Sequence, residues 1–108
     1  MTFRHALVLA LAACTVTAGA VVLRDLPYAP AHGRLGLGDL YMPEKVTGQT
    51  PVVLALHGGG WTGGDRYSWS GVAEFFRRDL GCVVLNIEYR LACGQTPWPA
   101  CGDDCREA

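Results

Sequence analysis

His57-Gly58-Gly59-Gly60-Trp61 sets three consecutive glycines directly behind the apolar run Pro51–Leu56. Glycines let a chain turn sharply and leave main-chain N–H groups unobstructed by Cβ atoms. Two such groups aimed into open space can hold the oxygen that gains negative charge in the tetrahedral intermediate of acyl transfer. A second chemistry fits the same residues. Gly58-x-Gly60-x-x-Gly63 follows an expected strand and precedes an expected helix, and Glu88 ends the next expected strand, as in a dinucleotide-binding βαβ unit. Three points count against that alternative. Gly63-Gly64-Asp65 still reads as loop, Trp61 would crowd a pyrophosphate, and the N-terminus, whose apolar run Ala6–Ala13 suggests export, points to a place with little NAD.

The other reactive residue types are sparse. The only serines are Ser68 and Ser70, neither in a G-x-S-x-G setting, and no histidine follows His57. Cys82, Cys93, Cys101 and Cys105 have no downstream histidine to serve as a base. They form no CxxC pair, and His5, His32 and His57 lie far from them, so no metal site is expected. An even count of four permits disulfides in an exported chain, with a local bridge among Cys93, Cys101 and Cys105, while Cys82 reads as a buried free thiol.

The elements that must position the glycine loop follow from pattern. Pro51–Leu56 and Cys82–Ile87 are unbroken apolar runs, each suited to a strand covered on both faces. Val72, Phe75, Phe76 and Leu80 recur at helical spacing, which predicts a helix over roughly 67–80, capped by Ser68 or Ser70 and ended by Gly81. A helix between two buried strands makes them parallel, with a right-handed crossover. Arg34–Tyr41 alternates as a half-exposed strand with Leu35, Leu37 and Tyr41 on one side, although Leu40 breaks the pattern. Pro43–Pro51 reads as a turn and Arg90–Trp98 as a loop. Pro99 stands where a helix-starting proline would, ahead of a helix over Cys101–Ala108.

The net charge of −1 comes with scattered Lys and Arg, so no basic stripe exists for nucleic acid and no acidic tail for a charged partner. The start is of another kind. Arg4 and His5 precede the apolar run Ala6–Ala13, the pattern of a secretory signal. Ala18-Gly19-Ala20 fits a signal-peptidase site and gives a leader over residues 1–20. Leu11-Ala12-Ala13-Cys14 fits a lipobox in which Cys14 is lipidated, and such a lipid anchor is the membrane contact expected. An uncleaved anchor over Ala6–Leu23 is the third option, short for a span. The expected localisation is therefore exported: periplasmic, lipid-anchored or secreted. Residues 21–32, with their prolines, read as a linker, and 33–108 as one partial domain.

TPVVLALHGGGWTGGD resembles the oxyanion segment of the α/β-hydrolase superfamily, nearest its hormone-sensitive-lipase-like and feruloyl-esterase-like (BD-FAE) branch. Glu88-Tyr89-Arg90-Leu91-Ala92 resembles that branch's strand-end signature, which usually carries Asp at the position of Glu88. Trp98-Pro99-Ala100 followed by Asp103-Asp104-Cys105 resembles the opening of its next helix. The resemblance covers about residues 33–108. It implies an α/β fold: the N-terminal, incomplete part of an α/β-hydrolase sheet, with one early strand and a parallel βαβ unit carrying the oxyanion loop. It implies that Gly59 and Gly60 donate the oxyanion N–H groups, with Gly58 shaping the turn. His57 and Asp65 support the loop, and Trp61 lines the substrate pocket. For Tyr89 and Arg90 structural hydrogen bonding is expected. Small-molecule or carbohydrate-linked esters are the implied substrates, with no cofactor.

The superfamily orders its triad as Ser, acid, His after the oxyanion loop. None of the three is in place here, so the expectation is the N-terminal fragment of an ester hydrolase, inactive alone. The alternative is a short exported binding or structural protein.

Overall fold

The computed structural model describes residues 19–108. Residues 1–18 of the expected leader, with Cys14 and the lipobox, fall outside the described residues. Four strands form one mixed sheet: β1 (Val21–Pro27), β2 (Leu37–Met42), β3 (Val52–Leu56) and β4 (Val83–Ile87). Two helices follow β3 and β4 respectively, α1 (Ser70–Arg78) and α2 (Ala100–Glu107), with 3-10 segments at Pro30–Gly36 and Arg66–Trp69. The strand order is β1-β2-β4-β3. β3 and β4 are parallel, as the intervening helix predicted, and β2 is antiparallel to both β1 and β4.

β4 is the centre of the domain, and all five of its residues are buried. Val83, Leu85 and Ile87 enter a core with Tyr28, Ala29, Leu40 and Val46, against which Cys105 and Ala108 of the α2 end also pack. Val84 enters the opposite core with Tyr41, Ala55, Ala73 and Cys82, beneath α1. Period-2 alternation thus feeds two cores from one strand.

Several expectations change once neighbours are known. Residues 21–32 are not a linker: β1 occupies Val21–Pro27 and pairs with β2, and the first 3-10 segment follows. β2 lies between β1 and β4 with a core on each side of the sheet, so it is buried on both faces rather than half-exposed. Leu40 is no break in its pattern but the residue it sends into the opposite core from Tyr41. β2 also begins at Leu37, because Arg34 and Leu35 belong to the 3-10 segment. β3 shows the reverse. Its apolar run predicts cover on both faces, yet it forms the edge of the described sheet, and Val52 and Leu54 stay 58% and 41% exposed. Val53 and Ala55, on its other face, pack beneath α1.

The helix expected over 67–80 is a 3-10 turn running into α1. Ala73 and Phe76 meet the sheet, whereas Phe75 and Leu80, read as core-facing, are 47% and 53% exposed. Neither serine caps it. Asp65 accepts from the Ser68 N–H at 3.2 Å, while the Ser68 and Ser70 hydroxyls donate back to the carbonyls of Asp65 and Tyr67. Gly81, at φ 65°, turns the chain so that the Cys82 N–H returns to the Phe76 carbonyl. Pro99 stands immediately before α2, as expected. The four described cysteines are free thiols. The local bridge does not form, because Cys101 is turned fully into the core and Cys93 out to solvent.

Candidate active site

β3 and β4, being parallel, end at the same edge of the sheet, and the sequence signatures leave from there. The Gly58–Gly64 loop closes on itself. The Gly59 carbonyl accepts from the N–H groups of Thr62 and Gly63 at 3.2 and 3.1 Å. Gly59 has φ 131°, and a Cβ there would lie 2.1 Å from the Gly63 carbonyl oxygen. Gly64 has φ 87°, and its Cβ would lie 2.3 Å from the Gly58 oxygen. Both positions therefore require glycine. A Cβ on Gly58 would meet open space. Gly58, Gly59 and Gly60 are exposed, and the N–H groups of Gly59 and Gly60 donate to no acceptor among the described residues.

His57 lies beneath the loop, almost fully buried. A carbonyl can only accept, so its Nδ1 donates to the Gly58 oxygen at 2.8 Å. Its ring stacks on Tyr89 with centroids 4.2 Å apart and planes 8° from parallel. The Tyr89 hydroxyl donates to the His57 carbonyl at 2.5 Å, and burial pushes that phenol's pKa up, which keeps it a donor. Glu88 ties the far end of the loop. Its Oε1 accepts from the Arg66 N–H at 2.8 Å and lies 3.5 Å from His57 Nε2.

Trp61 has φ 67°, a strained setting for a bulky side chain that costs roughly 1–2 kcal/mol. Its carbonyl is held by the Ala92 N–H at 2.7 Å. The indole is 40% exposed, so it is not plain core packing; it tilts against Tyr89 at 5.3 Å and meets the Trp98 ring edge-on at 6.2 Å. Asp65 sits at the loop's end as the cap of the following 3-10 turn.

The loop after β4 is anchored by an ion pair. The fully buried Asp104 of α2 accepts from the Arg90 N–H at 2.8 Å and from its guanidinium Nη2 at 2.7 Å, with Nε also in reach. Tyr89 and Arg90 thus do the structural bonding expected of them.

Sequence reasoning missed a buried network behind the site. Arg66 is 3% exposed; it donates to Asp25, and its Nε lies 3.3 Å from the buried Asp39, which also pairs with Arg24. Burial opposes the Arg66 charge, and Asp39, Tyr67, Asp25 and Glu88 outweigh it, so its pKa is raised. Asn86 donates to the Arg66 carbonyl at 2.8 Å. The one sequence signal was Asn86, a polar residue inside an otherwise apolar strand.

The dinucleotide alternative loses its geometry. Gly63 lies well before α1, which starts only at Ser70, with Asp65 and a 3-10 turn between them, so no α-helix N-terminus faces the glycine loop.

Known proteins agree with the esterase side. The BD-FAE family model matches residues 38–108. Esterase LipI of Mycobacterium tuberculosis is 34% identical, over 76% of this chain and 30% of its own length. Among solved structures, a bacterial heroin esterase superposes with a TM-score of 0.60 at 29% identity, covering 96% of this chain and 32% of that one. A phosphonate-inhibited esterase B from Lactobacillus rhamnosis gives 0.69 at 25% identity, over 85% and 29%. The chain thus spans about a third or less of these relatives' length. With the mixed sheet, the crossover helix and the glycine loop in place, the chain belongs to the BD-FAE family of esterase-type α/β-hydrolases.

Proposed function

We propose that this chain supplies the oxyanion-hole segment of an exported serine-type carboxylic-ester hydrolase. One observation carries the reading: the exposed N–H groups of Gly59 and Gly60, free of acceptors among the described residues, in a loop whose shape only glycine permits. In the reaction a serine oxygen attacks the ester carbonyl carbon, and the C=O electron pair moves onto the oxygen. Gly59 and Gly60 donate hydrogen bonds to that oxyanion; a base takes the serine proton and passes it to the alcohol expelled on collapse, and water then releases the acyl group from the serine. His57 takes no proton in this scheme, since its ring is buried, bonded and stacked beneath the loop. Trp61 flanks the reacting carbonyl as part of the substrate pocket. Ser68 and Ser70 already donate to backbone carbonyls, so the nucleophile and its base belong to protein outside residues 1–108. Alone, residues 1–108 turn over no ester.

Small-molecule esters are the substrates, and no cofactor enters the scheme. Export rests on the leader over residues 1–20, with Cys14 as the lipidation alternative; a Cys14→Ala variant moving from the membrane to the soluble exported fraction would identify the lipid-anchored form. The test of the enzymatic reading uses the full-length protein, p-nitrophenyl butyrate and a fluorophosphonate. Hydrolysis is expected, with the phosphonate adduct on a serine outside residues 1–108. An adduct on Ser68 or Ser70, or no hydrolysis, would overturn it.

A further inference from the structure

Four aromatic rings run in a row from beneath the glycine loop to the surface: His57, Tyr89, Trp61 and Trp98. The first two are buried. The row ends on Trp98, which is 63% exposed and belongs to neither core. Trp98 is nonetheless seated. It meets Trp61 edge-on at 6.2 Å, a favourable separation for an aromatic pair. It also rests on α2: a Cβ on Gly102 would find three Trp98 ring atoms as its nearest neighbours, at 3.3 to 3.9 Å. The bare Gly102 therefore lets the indole lie against the helix.

Trp61 is gripped twice from the loop that follows β4. Its carbonyl is held by the Ala92 N–H at 2.7 Å, and its ring is met by Trp98 at the far end of that loop. The stretch between the two grips is a closed turn. Cys93 and Thr96 exchange backbone hydrogen bonds at 3.2 Å, and the Thr96 hydroxyl donates to the Leu91 carbonyl at 2.7 Å. A half-exposed indole left to itself would sample several rotamers. One pinned at its free edge has lost that freedom before a ligand arrives, so ordering it adds no cost to binding. Trp98 buries little of its own surface, so it contributes little to the fold. Its effect falls on where Trp61 is held.

We propose that Trp98 is a positioning residue for the ester, holding the Trp61 indole in place beside the Gly59 and Gly60 amides, an inference that rests on the hydrolase function proposed above. The test is steady-state kinetics of the full-length protein on p-nitrophenyl butyrate. Trp98→Ala should raise KM about fivefold, the worth of one aromatic pair, and leave kcat within about twofold, because the loop amides keep their own bracing. Trp98→Phe keeps an aromatic edge and should hold KM within about twofold of wild type. The denaturant midpoint of both variants should match wild type, since the side chain is exposed. A double-mutant cycle reads whether Trp98 acts through Trp61: added to a Trp61→Ala enzyme, Trp98→Ala should change KM by less than about 1.5-fold. The full effect persisting in that background would overturn the proposal. So would an unchanged KM in Trp98→Ala, and a lowered midpoint would assign Trp98 to the fold instead. A wild type that hydrolyses no ester would remove the hydrolase reading and this role with it, whereas wild-type hydrolysis with any of the other failures removes this role alone.

Discussion

The loops that leave β3 and β4 start at the same edge of the sheet and treat their polar groups in opposite ways. After β4, each side chain of Glu88, Tyr89 and Arg90 has a partner: the Arg66 N–H, the His57 carbonyl and the Asp104 carboxylate. After β3, the glycines have no side chains to spend, and the amides of Gly59 and Gly60 stay without an acceptor among the described residues. The second loop is the scaffold of the first. Glu88 and Tyr89 hold both ends of the Gly58–Gly64 turn, so amides without an acceptor among the described residues sit on a braced loop. Such pre-organisation is what makes backbone donors effective toward a developing oxyanion.

Substitutions can break this contrast. Gly59→Ala should have the largest effect, since its Cβ would collide with the Gly63 carbonyl and re-aim the amides. Ester turnover by the full-length enzyme should fall by about 10²–10³-fold, and unchanged kcat/KM would mean the loop amides are not the donors. Asp104→Ala leaves Arg90 unpaired beside a buried cavity. Because Arg90 is partly exposed, the expected loss is near the low end for a broken buried pair, about 3 kcal/mol in denaturant unfolding. A midpoint matching wild type would refute the anchor. Tyr89→Phe keeps the stack on His57 but leaves the His57 carbonyl without its donor, which should cost about 1–3 kcal/mol in the same measurement. Gly58→Ala sharpens the contrast from the other side: its Cβ meets open space, so stability should stay within about 0.5 kcal/mol of wild type.

The smallest effect distinguishes two thiols. Hydrogen bonding with the Thr96 side chain and from the backbone of Thr96 and Gln95 lowers the Cys93 pKa, while burial pushes Cys105 up to about 11. Thiolate is the reactive form, so at about pH 7.5 iodoacetamide should alkylate Cys93 well before Cys105. Cys105 should react appreciably only as pH approaches its raised value. Peptide mapping that finds Cys105 modified first would show the post-β4 loop and α2 to be packed differently.

Legibility from sequence varied by element. The β4 run, the loop Gly58–Gly64, the helix behind Pro99 and the parallel pairing of β3 with β4 were all readable, because each is written in neighbouring residues. β2 and β3 were read with their burial interchanged. An apolar run does not say whether it will lie inside a sheet or at its edge. Leu40 looked like an error in β2 because β1, concealed in a proline-containing stretch, was not recognised as its partner. The cap was expected at Ser68 or Ser70 and falls to Asp65, and nothing local marks Arg66 beside it as a buried charge.

The sequence by itself determined the backbone chemistry of the site. The positive φ angles of Gly59 and Gly64 and the apolar strands around the loop follow from residue type and local spacing. Only the tertiary structure decided which charges are buried and which apolar residues are not. Arg66 meets Asp25 across 41 positions of chain, and Glu88 reaches the Arg66 amide across 22. Backbone conformation is settled largely by a residue and its neighbours, whereas burial and ion pairing depend on surfaces that exist only after distant segments have packed.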